Sequence, residues 1–253
     1  MEDKFFLNKT LKNRLGKLEV QKINKNEISN NKLHLSSSKI NTLMSLTQNA
    51  KEPIFYAIQK ALPSACLIVI YYNDGAGNTQ NWSGSGFLIE ENVIVTSNHV
   101  LPNLHGEYLI KVSFDGNKKY LANILKMDDN LDVGFISLKE KVDIPPIPPN
   151  SVEPIPGDKI AVIGAPEGWN NIVTVGYVSG VNQTPQVIPQ PSWSEMIFID
   201  ADIYEGSSGS MVINEQAEAI GIVMGIIGKH AEERHIGQNA VVPIKKVLQS
   251  LNQ

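Results

Sequence analysis

FIDADIYEGSSGSMVI, residues 198–213, is the stretch whose reading decides the fold. An apolar run around Phe198 and Ile199 enters a tight turn bounded by Gly206 and Gly209. It leaves as a second apolar run, Met211-Val212-Ile213. Glycines on both sides of the serines let the backbone bend sharply and aim successive N–H groups at one point. A serine nucleophile is presented in this way beside donors for a developing oxyanion. Taken alone, however, GSSGS reads first as a Gly/Ser hairpin turn, because those residues are common turn formers. Ser208 becomes a candidate nucleophile only if the rest of the chain supplies partners for it.

Outward from this stretch, from Pro53 onward, short apolar runs recur between Gly, Asn, Asp and Pro, the pattern of strands and turns. The first series is Ala65–Tyr72, Gly86–Ile89, Val93–Thr96, Tyr108–Phe114, Tyr120–Leu125 and Val133–Leu138. Ile144-Pro145-Pro146-Ile147-Pro148-Pro149 follows, too rich in proline for a central strand. The second series is Lys159–Ile163, Ile172–Val178, Met196–Ile199, Ser210–Ile213, Ala219–Ile227 and Ala240–Val242. A short helix is expected over Ile54–Leu62, ended by Pro63, and another after Pro243, through Leu251. Alternating βα units are absent, which disfavours a parallel α/β sheet. The expected fold class is all-β: two packed six-stranded antiparallel barrels with a C-terminal helix. The first barrel spans about 64–140, the connector 141–157, the second barrel about 158–243 and the helix 244–251, within a domain of residues 51–253.

Residues 1–50 have a different texture. Up to Asn26 they carry seven Lys/Arg against three Asp/Glu, and after Phe6 they lack aromatics. Leu7, Leu11, Leu15 and Leu18 have near-helical spacing. The segment reads as a tethered helix or disordered leader, with a partner-binding or autoinhibitory role as the competing reading.

The 253 residues are 42% hydrophobic and 19% charged, ordinary for a globular protein. Net charge −4 and pI 5.8 argue against nucleic acid as a partner, which would leave a basic footprint. No apolar run approaches the roughly 18 residues of a transmembrane helix, and Phe5-Phe6-Leu7 is too short for a signal-peptide core. The expectation is therefore a cytoplasmic location without membrane insertion. The single Cys66 forms no internal disulfide and lies in an apolar strand-like run, where it reads as a buried core residue. There is no H-E-x-x-H, no cysteine pair and no nucleotide-binding glycine loop, so no metal or cofactor is implied.

Of the five histidines, His99 has the most informative setting. It stands just past Val93-Ile94-Val95-Thr96, which GSGFLI at 84–89 precedes as a hairpin partner. Alone it would be a structural strand-end histidine. Asp132 opens the run Val133–Leu138, so it is placed to be partly buried and to need a partner. Alone it too would be structural. With Ser208 they are the parts of a Ser-His-Asp triad: Asp132 fixes the imidazole tautomer, His99 takes the Ser208 proton, and backbone N–H groups hold the oxyanion. The chain order His, Asp, Ser differs from the subtilisin and α/β-hydrolase orders.

On these residues a family resemblance rests. The blocks GSGFLIEENVIVTSNHV (84–100), DDNLDVGFISL (128–138), GDKIAVIGAPEGWNNIVTVGYVSG (157–180) and FIDADIYEGSSGSMVINEQAEAIGIVMG (198–225) resemble HtrA/Deg-type trypsin-like serine proteases. Some character of V8-like glutamyl endopeptidases is mixed in. The resemblance covers most of the chain. It implies a serine endopeptidase of chymotrypsin fold, with His99, Asp132 and Ser208 as the triad and the N–H groups of Gly206 and Ser208 as the oxyanion hole. It also implies a polypeptide substrate, whose backbone would pair with Ile222, Val223, Met224 and Gly225 in β-augmentation style. Such domains often trimerise through aromatics before the first barrel, where Phe55 and Tyr56 fall. A trimer contact or a regulatory partner would then engage the N-terminal segment, against the plainer reading that both rings pack on their own core.

The chain departs from the pattern in three places. No PDZ-like block follows the second barrel, and Ser210 is closer to the V8-like G-N-S-G-S. Ser207 stands where digestive trypsins carry the aspartate that receives the freed N-terminal amine, so that activation switch cannot operate. Asp202 lies six residues before Ser208, the trypsin spacing for a carboxylate that pairs with a basic P1 side chain. HtrA-like proteins more often carry a small apolar residue there, so a solvent-facing Asp202 is the competing reading. Other functions on the same residues would be a peptide-gripping module without catalysis, or an esterase.

Overall fold

The structure, a computed structural model, describes residues 52–73, 78–102, 106–183, 195–227, 230–231, 234–235 and 238–253. The expected N-terminal leader lies outside the described residues. A helix, α1 (Pro53–Ala61), opens the described part with Pro53 at its first position, where its missing N–H costs nothing. Six strands follow: β1 (Ala65–Asn73), β2 (Thr79–Glu90), β3 (Val93–Ser97), β4 (Glu107–Ser113), β5 (Tyr120–Asp128) and β6 (Val133–Leu138). They close into an antiparallel barrel in the order β1-β2-β3-β6-β5-β4.

After the connector come β7 (Lys159–Gly164), β8 (Ile172–Gln183), β9 (Met196–Ile199), β10 (Met211–Ile213) and β11 (Ala219–Ile227). Two two-residue strands, β12 (His230–Ala231) and β13 (Arg234–His235), pair with each other, and β14 is Gln238–Pro243. The second closed barrel has the order β10-β11-β14-β9-β8-β7. Helix α2 (Ile244–Asn252) ends the chain. The expected double barrel is thus observed, and no described helix is long and apolar enough to cross a membrane.

Why so many strands read as continuous apolar runs is visible in where their two faces go. One cluster fills the first barrel, with Ile68, Ile70, Leu88, Ile94 and Ile136. A second fills the other barrel, with Ile160, Val162, Ile199, Val223 and Val241. A third lies between them and joins Phe87, Val95 and Phe135 to Ile163, Met211, Ile222 and helix residues Ile54 and Val247. In β3, Ile94 faces its own barrel and Val95 the seam; in β6, Phe135 faces the seam and Ile136 the barrel. The period of two is kept, yet both faces are dry. Phe87 and Phe135 are fully buried, each contributing about 2–3 kcal/mol by removal from water.

The proline-rich connector is not idle chain. The Ile147 N–H donates to Leu88 C=O of the first barrel at 3.0 Å, and the Asn150 N–H donates to Ala219 C=O of the second at 2.8 Å. Phe55 and Tyr56 meet edge to face with ring centroids 5.5 Å apart, and Tyr56 is exposed.

Candidate active site

Strand register brings His99 to Asp132. Ser97, the last residue of β3, is paired with Val133, the first of β6, so the chain just after one strand meets the chain just before the other. A short 3-10 turn, Asn98–Val100, follows β3 and turns the imidazole outward. The His99 Nδ1 lies 2.7 Å from Asp132 Oδ2, and the His99 backbone N–H donates to Asp132 Oδ1 at 2.9 Å. Both carboxylate oxygens are therefore engaged by one residue. The His99 side chain is 52% exposed and that of Asp132 18%. The hydrogen bond that His99 donates to the Asp132 carboxylate raises the His99 pKa, burial works against this, and the carboxylate charge adds to the rise.

Asp132 holds a left-handed backbone, φ 56°, which aspartate tolerates better than most residues. Its turn is fastened from several sides. The Asp128 Oδ1 accepts the N–H groups of Asn130 and Leu131 at 3.0 and 3.1 Å. Asn98 donates its N–H to the Asp132 carbonyl at 2.9 Å and its side-chain amide to Asp129 Oδ1 at 2.6 Å.

Ser208 comes from the second barrel on a loop shaped by glycines. Gly206 and Gly209 have φ of 83° and 86°, values that side-chain-bearing residues rarely adopt. The N–H groups of Ser207, Gly209 and Ser210 are spent on the carbonyls of Tyr204, Val223 and Ser207. Those of Gly206 and Ser208 have no backbone acceptor among the described residues. The Glu205 carbonyl accepts the Glu167 N–H at 3.0 Å. Because a trans peptide holds C=O and N–H on opposite sides, this bond also fixes the direction of the Gly206 N–H. Ser207 is buried, and its hydroxyl accepts the Tyr204 N–H at 2.9 Å.

The loop bearing Ser208 is stitched to the first barrel through Ser85, which in the sequence is marked only as part of a hairpin. Its N–H donates to the Ser208 carbonyl at 2.9 Å, and its hydroxyl donates to the Gly206 carbonyl at 2.8 Å. The same hydroxyl accepts the Ala165 N–H at 2.8 Å, and Thr96 Oγ1 donates to the Ser85 carbonyl at 2.7 Å. Ser97 Oγ adds a bond to the Val223 carbonyl at 3.0 Å. The one signal of this role was the glycine frame of GSG at 84–86. Gly84 and Gly86 leave room that a Cβ would take from Val100 and from Ile68, Ile94 and Val95.

The structure thus pairs His99 with Asp132 directly, while the Ser208 hydroxyl hydrogen bond goes to the Met224 carbonyl at 3.4 Å. Ile222 and Val223 are fully buried, and their backbones are bonded to the β10 side and to β14. From Met224 onward β11 keeps only β14 as neighbour among the described residues, so its open edge begins there. Asp202 is exposed, and its backbone carbonyl accepts Thr174 Oγ1 at 2.7 Å. Among the described residues no group of three or more His, Cys, Asp or Glu is placed to hold a metal.

Known proteins are similar to this chain in sequence. The family described as "Trypsin-like peptidase domain" matches residues 84–222. "Serine protease HTRA1" of Xenopus tropicalis is 34% identical over 144 residues, covering 55% of this chain and 30% of that protein. "Serine protease HTR4" of Rattus norvegicus is 29% identical over 170 residues, 65% of this chain and 34% of that protein. The "Probable periplasmic serine endoprotease DegP-like" of Marinomonas sp. is 27% identical over 172 residues, 67% and 35% respectively. The matched part spans about a third of the length of these relatives. The family match runs from the GSG frame of Ser85 through His99, Asp132 and Ser208 to β11, and over this span the chain belongs to the trypsin-like peptidase family, with HtrA-type proteases among its relatives.

Proposed function

We propose that this chain is a serine endopeptidase that works through His99, Asp132 and Ser208 and an acyl-enzyme intermediate. The observation that carries the reading is the His99–Asp132 pair at 2.7 Å, joined through the Ser85 seam to the loop bearing Ser208. In the proposed reaction neutral His99 takes the Ser208 proton through Nε2 while Oγ attacks the scissile carbonyl carbon. Asp132, holding Nδ1–H, stabilises the imidazolium that results. The N–H groups of Gly206 and Ser208, without backbone acceptors among the described residues, would receive the negative oxygen. His99 then protonates the leaving amine, and water attacks the acyl-Ser208 ester by the same route in reverse.

Trypsin-style zymogen cleavage has no place in this scheme. The Ser207 hydroxyl is already taken by the Tyr204 N–H, and its side chain offers no carboxylate to a new N-terminus. A polypeptide substrate would pair along the open edge of β11 from Met224. The cytoplasmic location expected from the sequence belongs to this proposal, and cell fractionation tests it.

A latent form of the same fold is the second reading, favoured by the Ser208 hydroxyl bond to the Met224 carbonyl. Such catalytic contacts often tighten only when substrate is bound. Labelling with a fluorophosphonate separates the two readings. An active enzyme is labelled in the wild type and not in Ser208→Ala, with turnover reduced about 10⁶-fold. Folded wild-type protein that takes no Ser208-dependent label would be latent or a binding module.

A further inference from the structure

We propose that Ser250, on helix α2, is a positioning residue for the His99–Asp132 pair, acting through the Asp128 carboxylate. The inference rests on the catalytic reading of that pair. Ser250 is 1% exposed and 122 positions away in sequence, yet its hydroxyl donates to Asp128 Oδ2 at 2.6 Å. The other oxygen of the same carboxylate, Oδ1, is the acceptor for the Asn130 and Leu131 N–H groups that shape the turn into Asp132. The two oxygens therefore have separate tasks: one builds the turn, the other anchors it to the helix.

The anchor matters because of how a carboxylate moves. Rotation about its last side-chain torsion is broad and nearly two-fold, so an unanchored Asp128 can swing or exchange oxygens. Asp132 sits in a left-handed conformation that aspartate tolerates but that still costs more than the right-handed one, so its surroundings help to hold it there. A looser turn therefore relaxes first at Asp132, and with it the two contacts to His99.

Two further contacts point the same way. Lys126 Nζ donates to the Ser250 backbone carbonyl, closing a second tie between β5 and the end of α2. Such a cation also suits the negative end of the helix. Leu131, inside the turn, packs against the seam cluster that holds Val247 and against which Leu248 and Leu251 also pack. The helix that follows the second barrel thus bears on the turn that presents the aspartate of the first.

The test uses the full chain with labelled histidine, its His99 resonance assigned by His99→Ala. Turnover of a peptide substrate is followed across the acid and neutral range. Ser250→Ala should lower kcat/KM about tenfold, mostly in kcat, as a slightly misplaced base would. The His99 titration and the acid limb of the rate profile should both move to lower pH, because the Asp132 hydrogen bond that raises them is loosened. Ser250→Thr should restore both, and Asn252→Ala, at an exposed position of the same helix, should change neither.

Lys126→Met serves if Ser250→Ala does not fold. Losing a cation would by charge alone raise the His99 titration, so a downward move can come only from geometry. A folded Ser250→Ala whose His99 titrates as in the wild type overturns the proposal, as does an upward move in Lys126→Met. If the wild type shows no Ser208-dependent turnover, the catalytic reading fails instead, and the titration still decides whether Ser250 bears on His99.

Discussion

The two barrels hold their parts of the site by different means. In the first, His99 and Asp132 come from adjoining strand termini, are fixed by the pairing of β3 with β6, and bond to each other side chain to side chain. In the second, Ser208 rides on a loop outside any strand. Two glycines of positive φ shape it, and Ser85 of the first barrel holds it through its N–H and its hydroxyl. The proposed base and its orienter are thus a property of one sheet, whereas the proposed nucleophile and oxyanion donors depend on contact between two. Damage to the first half should appear as altered proton chemistry, and damage to the second as lost alignment.

The largest expected effect within the first barrel follows Asp132→Asn. The amide keeps the shape but favours the wrong imidazole tautomer, so kcat should fall by about 10⁴ with the fold intact. In the proposed mechanism His99 must be neutral to act, and Asp132 raises its pKa above the ordinary value near 6.5. Activity should therefore fall as pH drops through that raised value, and the residual rate of the variant should have its acid limb at lower pH. The sign for stability is opposite. The pair's contribution is complete below the unfolded pKa of histidine and fades as pH rises through the folded one. A pH–rate profile and thermal melts at several pH values check both.

In the second barrel Gly206→Ala should cost about 10²–10³ in kcat, the loss of one oxyanion donor. A Cβ at Gly206 would stand 2.8 Å from the Glu167 backbone nitrogen, with φ at 83°, so the peptide that aims this N–H must rotate or shift. Its pH profile should keep the wild-type shape, since His99 and Asp132 are untouched. A shifted acid limb in this variant would break the division between the barrels.

Ser85→Ala tests the seam itself. The change removes the bond to the Gly206 carbonyl and leaves the Ala165 N–H, on a buried residue, without its acceptor. The unsatisfied donor should cost about 2 kcal/mol in denaturant unfolding. A loosened nucleophile loop should lower kcat about tenfold, again without a pH shift. Full activity alongside lost stability would show that the Ser85 N–H bond to Ser208 alone keeps the loop in place.

How much of this was legible follows from the range of each interaction. Strands buried on both faces over most of their length appear as apolar runs, so the bounds of β6, β9 and β11 are legible to the residue. Those of β2 are not. Apart from Trp82, Thr79–Ser83 is polar, and it is partly exposed yet pairs with β1 out to Asn73, so no apolar run marks it. The expectation for β5 stops at Leu125, where a bulge interrupts the register before Lys126–Asp128. His99 and Asp132 were legible because strand ends announce them. The tasks of Ser85 and Ser250 were not, because their partners lie across the seam and no local pattern encodes such a bond. Gly206 was chosen by family likeness, and the peptide plane fixed by Glu167 had no counterpart in the sequence.

The smallest effect is expected from the other aspartate on which sequence spacing bears. Asp132 of the first barrel has a side chain 18% exposed, with both oxygens bonded; Asp202 of the second is exposed. A charge in that position attracts a basic P1 side chain weakly, because water screens the pair, and exposed ion pairs are worth about 0.2–1 kcal/mol. Asp202→Asn should therefore change the ratio of basic to aliphatic P1 cleavage by less than about fivefold in a peptide library. Its pH profile and melting temperature should match the wild type. If the substitution instead removes basic cleavage by about a hundredfold, substrate binding must bury Asp202 and pair it, for only a desolvated charge contact reaches that size. The two aspartates would then be alike in kind, one buried by its fold and the other by its substrate.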